Sequence, residues 1–206
     1  MEKNEITTRS FALFKQYGLK NVSMDRIATE LGVSKKTLYV HFANKEELIQ
    51  RGVQEVSDAL FDDFDRIISL ERHPLVKLSL VLHILLAEII RYDQAYFYTV
   101  RRYSSAVLQD IERLRQRIMA CYLKPLLGEA HALGCFQEEL RLDLFAEVAL
   151  ARIDEKISHL VETGLAPSLS DCYYHLIVYP IHGICTRDCA TRYLAAVKEE
   201  IGTRAK

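Results

Sequence analysis

Glycine and proline are scarce in this chain, eight and four among 206 residues, and neither an Asn-Gly nor an Asp-Gly pair occurs. Tight hairpin turns depend on such pairs, so a sheet-rich fold is disfavoured. A Gly-rich phosphate loop is missing, as is the Gly-x-Ser-x-Gly turn that presents a nucleophile. The chain is therefore not expected to be an enzyme, and no cofactor is expected. Five cysteines, an odd number without paired spacing, fit reduced thiols better than a disulfide framework. The opening MEKNEITTRS has no apolar signal-peptide core. The most apolar run, LSLVLHILLAEII from Leu78 to Ile90, is interrupted by His83 and Glu88 and falls short of a bilayer span. A cytoplasmic protein with no membrane partner is the expectation.

What is present is apolar periodicity near 3.6 along the whole chain, so the fold class reads as all-α. Ile6, Leu13, Phe14 and Tyr17 give a first stripe that Gly18 closes. Ser23 then caps a short helix with Met24, Ile27, Ala28 and Leu31 at i, i+3, i+4 and i+7. Gly32 stops it, Val33 turns inward, and Ser34 caps a third helix whose buried pair is Leu38 and Phe42. Two short helices joined by a glycine turn make a helix-turn-helix.

Net charge is only −1, but from Arg9 to Lys45 seven basic residues stand against Asp25 and Glu30. A local excess of that size suits phosphate binding. Directly behind Ser34 come Lys35 and Lys36, two cations at the positive end of the helix dipole, where they destabilise the helix. An anion facing that helix end would offset the penalty, as phosphates do when a recognition helix enters a major groove. With Leu38 and Phe42 inward, Lys35, Lys36, Tyr39 and His41 lie on the other faces.

The segment VSMDRIATELGVSKKTLYVHFANKEEL, Val22 to Leu48, resembles the DNA-binding domain of TetR-type transcriptional repressors. The likeness rests on the Ile-Ala pair, Gly-Val-Ser at the turn, Thr-Leu-Tyr, Phe42 four residues after Leu38, and Lys45-Glu46 opening the next helix. Many members carry glycine where this chain has Lys36. The resemblance implies a homodimeric repressor whose C-terminal domain binds a small molecule and dimerises, with a palindromic double-stranded DNA operator as partner. The expected DNA-contacting set is Ser23, Lys35, Lys36, Thr37, Tyr39, His41 and Lys45. Within it Thr37 and Tyr39 would offer hydroxyls and Lys45 would clamp the DNA backbone; Lys36, where the chain departs from the family, is not carried over from it and is expected on its own chemistry to reach a guanine acceptor at a base edge. The expected division is residues 1–47 for DNA binding and 48–206 for effector binding and dimerisation.

In the larger part a helix starts at Pro74, a favourable first position. Between Leu75 and Ile90 only Lys77, Ser79, His83 and Glu88 are polar. At about 100 degrees per residue, Ser79 and His83 fall opposite Lys77 and Glu88, so His83 points inward. It reads either as a satisfied core histidine or as a polar anchor in a ligand pocket. Of the tyrosines that follow, Tyr96 and Tyr122 are the pocket candidates and most others read as structural. Arg152 and His159 share a face with Phe145 and Val148, lining either the pocket or a subunit interface. CYYHLIVYPIHGIC, Cys172 to Cys185, holds no Lys, Arg, Asp or Glu. It reads as one helix bent at Pro180 and covered by a second copy, with Ile153, Tyr174, Ile177, Ile181 and Ile184 at the interface. His182, Cys185 and Cys189 share a helical face, but a structural zinc takes four ligands, so these thiols read as small apolar groups and no metal is expected. The alternative to a ligand-responsive repressor is a helical interaction module that has lost operator binding.

Overall fold

The computed structural model describes residues 2–92, 95–96, 99–100, 105–149, 151 and 168–204, without the side chains of 198 and 201–204. Among these residues the chain is helical, with one isolated antiparallel bridge, Phe136 to Cys185, and no strand. The all-α expectation holds. The residues fall into two compact units, Met1–Phe61 with Arg91–Arg115, and Asp62–Ile90 with Gln116–Lys206.

The first unit holds α1 (Lys3–Tyr17), α2 (Met24–Leu31), α3 (Lys35–His41) and the start of α4 (Lys45–Ile68). Its core takes Ile6, Phe11, Phe14, Met24, Ile27, Leu31, Leu38 and Phe42, with Leu48, Ile49 and Val53 from α4. The buried face of α1 is Ile6, Thr7, Ser10, Phe11 and Phe14. Leu13 and Tyr17, expected inside, pack only at its margin. The reason lies in α4, where Gly52 has no side chain and the Phe11 ring occupies the space a Cβ would need. Gly52→Ala is accordingly expected to destabilise the domain. Alanine gains about 1 kcal/mol in helix propensity, but overpacking a seated ring costs about 1–3 kcal/mol. A melting temperature above that of the parent protein would show that the ring yields freely.

The turn between α2 and α3 is built by backbone chemistry. Gly32 adopts φ 69°, in the left-handed region. Its N–H reaches the Thr29 carbonyl at 3.1 Å, and the Val33 N–H reaches Ala28 at 3.0 Å. These two bonds form a Schellman cap, which satisfies the last carbonyls of α2 and aims the chain into α3. Ser23 accepts from the Arg26 N–H at 3.2 Å and Ser34 from the Thr37 N–H at 3.0 Å, as their sequence positions predict. Asn44 caps α4, its side-chain oxygen accepting the Glu47 N–H at 2.9 Å.

The second unit is built round α5 (Pro74–Ile89), which buries Leu75, Leu78, Ser79, Leu82 and Leu86 among others. Ser79 shares a hydrogen bond with the Tyr193 hydroxyl at 2.6 Å. Lys77 donates to the Ile68 carbonyl at 2.7 Å, satisfying the end of α4. Helix α6 (Ser105–Ile118), which belongs to the first unit as far as Arg115, passes through a π turn, Met119–Leu123, into α7 (Lys124–Ala132). Later α8 (Leu169–Tyr173) passes through a second π turn, Tyr174–Val178, into α9 (Tyr179–Ile184), and α10 (Arg187–Arg204) follows. Each π turn runs directly into a proline helix start, Pro125 or Pro180. A proline cannot donate to the carbonyl four residues back and its ring crowds it; a wider turn relieves both. The bend expected at Pro180 is thus expressed as a π turn. The helix expected to reach Cys185 stops at Ile184, because Cys185 is extended and bridges Phe136.

Candidate functional site

Helix α3 is held from below and open above. Leu38 and Phe42 are 0% and 1% exposed, whereas Tyr39 is 52% and Val40 72% exposed. Lys36 is exposed one turn earlier. Lys36, Tyr39 and Val40 stand at i, i+3 and i+4, so they form one outward face. Sequence reasoning passed over Val40, although with Leu38 inward the 100-degree step turns Val40 to the opposite side.

The remaining expected contact residues are engaged within the domain. Lys35 sits 2.6 Å from Asp25 in the first turn of α2, and this bond lifts its ammonium pKa above the ordinary value. One of the two lysines at the helix start is therefore offset by a carboxylate of the domain itself. The Thr37 hydroxyl lies 2.8 Å from the Ser34 hydroxyl and belongs to the cap. The His41 ring, half-buried, leans on Phe42 at 6.4 Å. Ser23 serves as the cap of α2. Lys45 donates to the Leu19 carbonyl at 2.6 Å, and burial lowers its pKa. That bond ties the start of α4 to the loop between α1 and α2.

In the second unit, the His83 ring is half-buried and stands edge-on to Tyr173 at 4.9 Å. Tyr122 lies in the first π turn, donates to Asp65 at 2.7 Å and packs on Phe64 at 5.1 Å. Burial first, then Asp65, push its hydroxyl pKa up to about 12. Tyr96, expected in the pocket, is instead a core residue of the first unit, with its ring 6.3 Å from Phe11 and 4.5 Å from Tyr92. Tyr173 is one ring neighbour of His83, and no local pattern marked it. Arg152, His159 and Ile153 lie outside the described residues.

Of the expected interface residues, Ile177 and Ile181 are 1% and 2% exposed and are covered by their own subunit. Tyr174 and Ile184 are half-buried. The segment is apolar on every side, so sequence could not say which side faces inward. Tyr179, 51% exposed, is an outward apolar residue of this segment, and Leu144 and Val148, 56% and 45% exposed, are two others in the same unit. Leu144 and Val148 also line an apolar groove of about 280 Å³ with Phe145, Leu176 and Pro180, where Arg141 is the charged residue. His182 does not join Cys185 and Cys189 on a helical face, since the helix ends between them. The side chains close enough to share an ion among the described residues are His73, Cys135 and Cys189.

Residues 6–51 match the family model for bacterial regulatory proteins of the tetR family. The chain is 27% identical over 145 residues to the HTH-type transcriptional repressor KstR2 of Mycolicibacterium smegmatis, covering 69% of this chain and 71% of that one. A TetR-family regulator from Marinobacter aquaeolei superposes with a TM-score of 0.77 at 20% identity, covering 97% of this chain and 98% of the other. FadR of Bacillus subtilis, solved in complex with stearoyl-CoA, gives 0.73 at 19% identity, covering 89% and 100%. Among the described residues no helix is long and apolar enough to cross a membrane. Residues 6–51 thus carry the helix-turn-helix of the tetR family of bacterial regulatory proteins, and the chain as a whole shares the all-helical fold of the solved TetR-family regulators.

Proposed function

We propose that this regulator is a cytoplasmic, non-enzymatic homodimeric repressor that holds a palindromic operator and releases it when a small amphipathic molecule binds. The observation that carries the reading is the outward face of Lys36, Tyr39 and Val40 on a doubly capped recognition helix. An exposed valine beside a lysine and a tyrosine matches the mixed chemistry of a major-groove floor. Lys36 supplies donors for guanine acceptors, Val40 meets a thymine methyl, and Tyr39 reaches a phosphate or a base edge. Lys45, fixed beside the turn by Leu19, presents its charge to the DNA backbone, with Ser23, Thr37 and His41 at the margins and Lys35 bracing α2 against α3. Residues 1–47 make up the DNA-binding part and 48–206 the effector-binding and dimerising part, with α4 continuous through both. Selection of operators from a random duplex pool tests the reading. Enrichment of a palindrome, bound with an affinity that falls steeply with salt, is expected. A purified protein that enriches no sequence and shows no salt-dependent DNA affinity is an interaction module instead.

The effector belongs with α5, whose apolar surface with the single inward imidazole of His83 suits a long apolar body with a polar head. The stearoyl-CoA bound to FadR is a ligand of that chemistry. A ligand seated there shifts α4 and with it the separation of the two recognition helices. Linkage then requires that whatever factor the ligand takes from DNA affinity, DNA takes from ligand affinity. With stearoyl-CoA as probe, His83→Leu is expected to raise the concentration that half-releases operator DNA by about 2- to 10-fold, the worth of one hydrogen bond. Operator affinity of the free protein should stay unchanged. Joint loss of DNA binding and thermal stability would make His83 a core residue and remove the pocket.

A further inference from the structure

We propose that His73, Cys135, Cys185 and Cys189 bind a single zinc ion within the second unit. Backbone pairing brings the ligands together. Gly134, at φ 68°, turns the chain out of the end of α7. The next residues then pair with those that precede α10, the Thr186 N–H donating to the Cys135 carbonyl at 2.9 Å and the Gln137 N–H to Ile184 at 3.3 Å. This crossing sets Cys135 beside Cys185, and Cys189 follows in the first turn of α10. His73, which precedes α5, places Nε2 3.5 Å from the Cys135 Sγ. The ligand atoms of His73, Cys135 and Cys189 all lie within 4.8 Å of one another. Cys185 lies outside that group, but the antiparallel bridge from Phe136 to Cys185 holds it next to the Cys135 segment, where it can supply the fourth donor.

Three buried sulfurs and an imidazole at an accessible edge are the donor set of a Cys₃His zinc site, and soft donors select zinc over magnesium or calcium. Around a tetrahedral zinc the ligand atoms stand about 3.5–3.8 Å apart, so His73, Cys135 and Cys189 close on the ion by contracting about 1 Å at their widest, and Cys185 swings in from outside that group. Binding releases three thiol protons to solvent, and three thiolates with a neutral imidazole leave the filled site at a net charge of −1. Arg192, three residues after Cys189 on α10, is placed to offset it. His73 Nδ1 accepts the Leu75 N–H at 3.2 Å, so Nε2 carries the proton aimed at Cys135. Metal on Nε2 moves that proton to Nδ1 and releases the cap, one accessible hydrogen bond given up against four metal bonds.

The test uses the full chain, reduced and stripped with a chelator, titrated with Co²⁺. One equivalent is expected to give the ligand-field bands of tetrahedral cobalt and thiolate-to-cobalt charge transfer, both erased by Zn²⁺. Cys189→Ser should abolish them. His73→Asn should weaken Co²⁺ binding at least tenfold while keeping α5 capped, because asparagine is itself a good N-cap; it decides the matter if the serine variant fails to fold. Cys121→Ser, at an exposed thiol of the first π turn, should change nothing. No band at one equivalent, bands that survive His73→Asn unchanged, bands lost in Cys121→Ser, or binding of Cu(I) alone would each overturn the proposal.

Discussion

Aspartate at Val148 and Tyr179 together is expected to turn the protein into a folded monomer that no longer holds its operator. Both residues are about half exposed in the subunit, so the fold can carry the charges. In a two-fold dimer each would appear twice across the same patch, and four carboxylates buried without partners cannot be accommodated. The monomer keeps one recognition helix and loses the effective concentration that the second supplies, which lowers operator affinity about 10²- to 10⁴-fold. Sedimentation and operator titration read the two effects separately. Ile177→Asp is the contrast: at 1% exposure the residue lies within the subunit, so that variant should unfold rather than dissociate. A Val148→Asp, Tyr179→Asp protein that stays dimeric with normal operator affinity would place the interface on another face.

Lys36→Ala and Lys45→Ala should fail in different ways. Lys36 is exposed on α3, so its loss should leave thermal stability alone. It should relax preference at one base pair in each half-site by about 1–3 kcal/mol. Lys45 bonds the Leu19 carbonyl through the same ammonium that the proposed function assigns to the DNA backbone. Its loss should weaken binding to every sequence, reduce the salt slope by about 1, and lower the melting temperature. Binding to an operator series with single base-pair changes, at several salt concentrations, separates the two. Uniform losses across that series for Lys36→Ala would refute base readout by that residue.

The parts legible beforehand are those governed by neighbours in the chain. Ser23 and Ser34 cap their helices because a cap bond spans three residues, and Gly32 ends α2 because only its own φ is at stake. Met24, Ile27, Ala28 and Leu31 turn inward together because the helical repeat places them on one side. The helix-turn-helix is a local motif made of such parts, so it could be read with its register intact. The π turns before Pro125 and Pro180 were legible in principle too, since a missing N–H acts four residues back.

Packing between distant segments decided the rest. The offset for Lys35 comes from Asp25 on another helix, and one ring against His83 is Tyr173, far along the chain. In the run from Cys172 to Cys185 all faces are apolar, so the pattern holds no information about which side faces inward; burial of Ile177 and exposure of Tyr179 settle it. His182 gave way to His73 and Cys135 as neighbours of Cys189 because the Phe136–Cys185 bridge, not helical spacing, sets which thiols meet. Caps, helix stops and periodicity depend on residues within about one helical turn, which the order of the chain specifies. Which faces meet depends on how whole helices pack against each other, and no local stretch of chain encodes that.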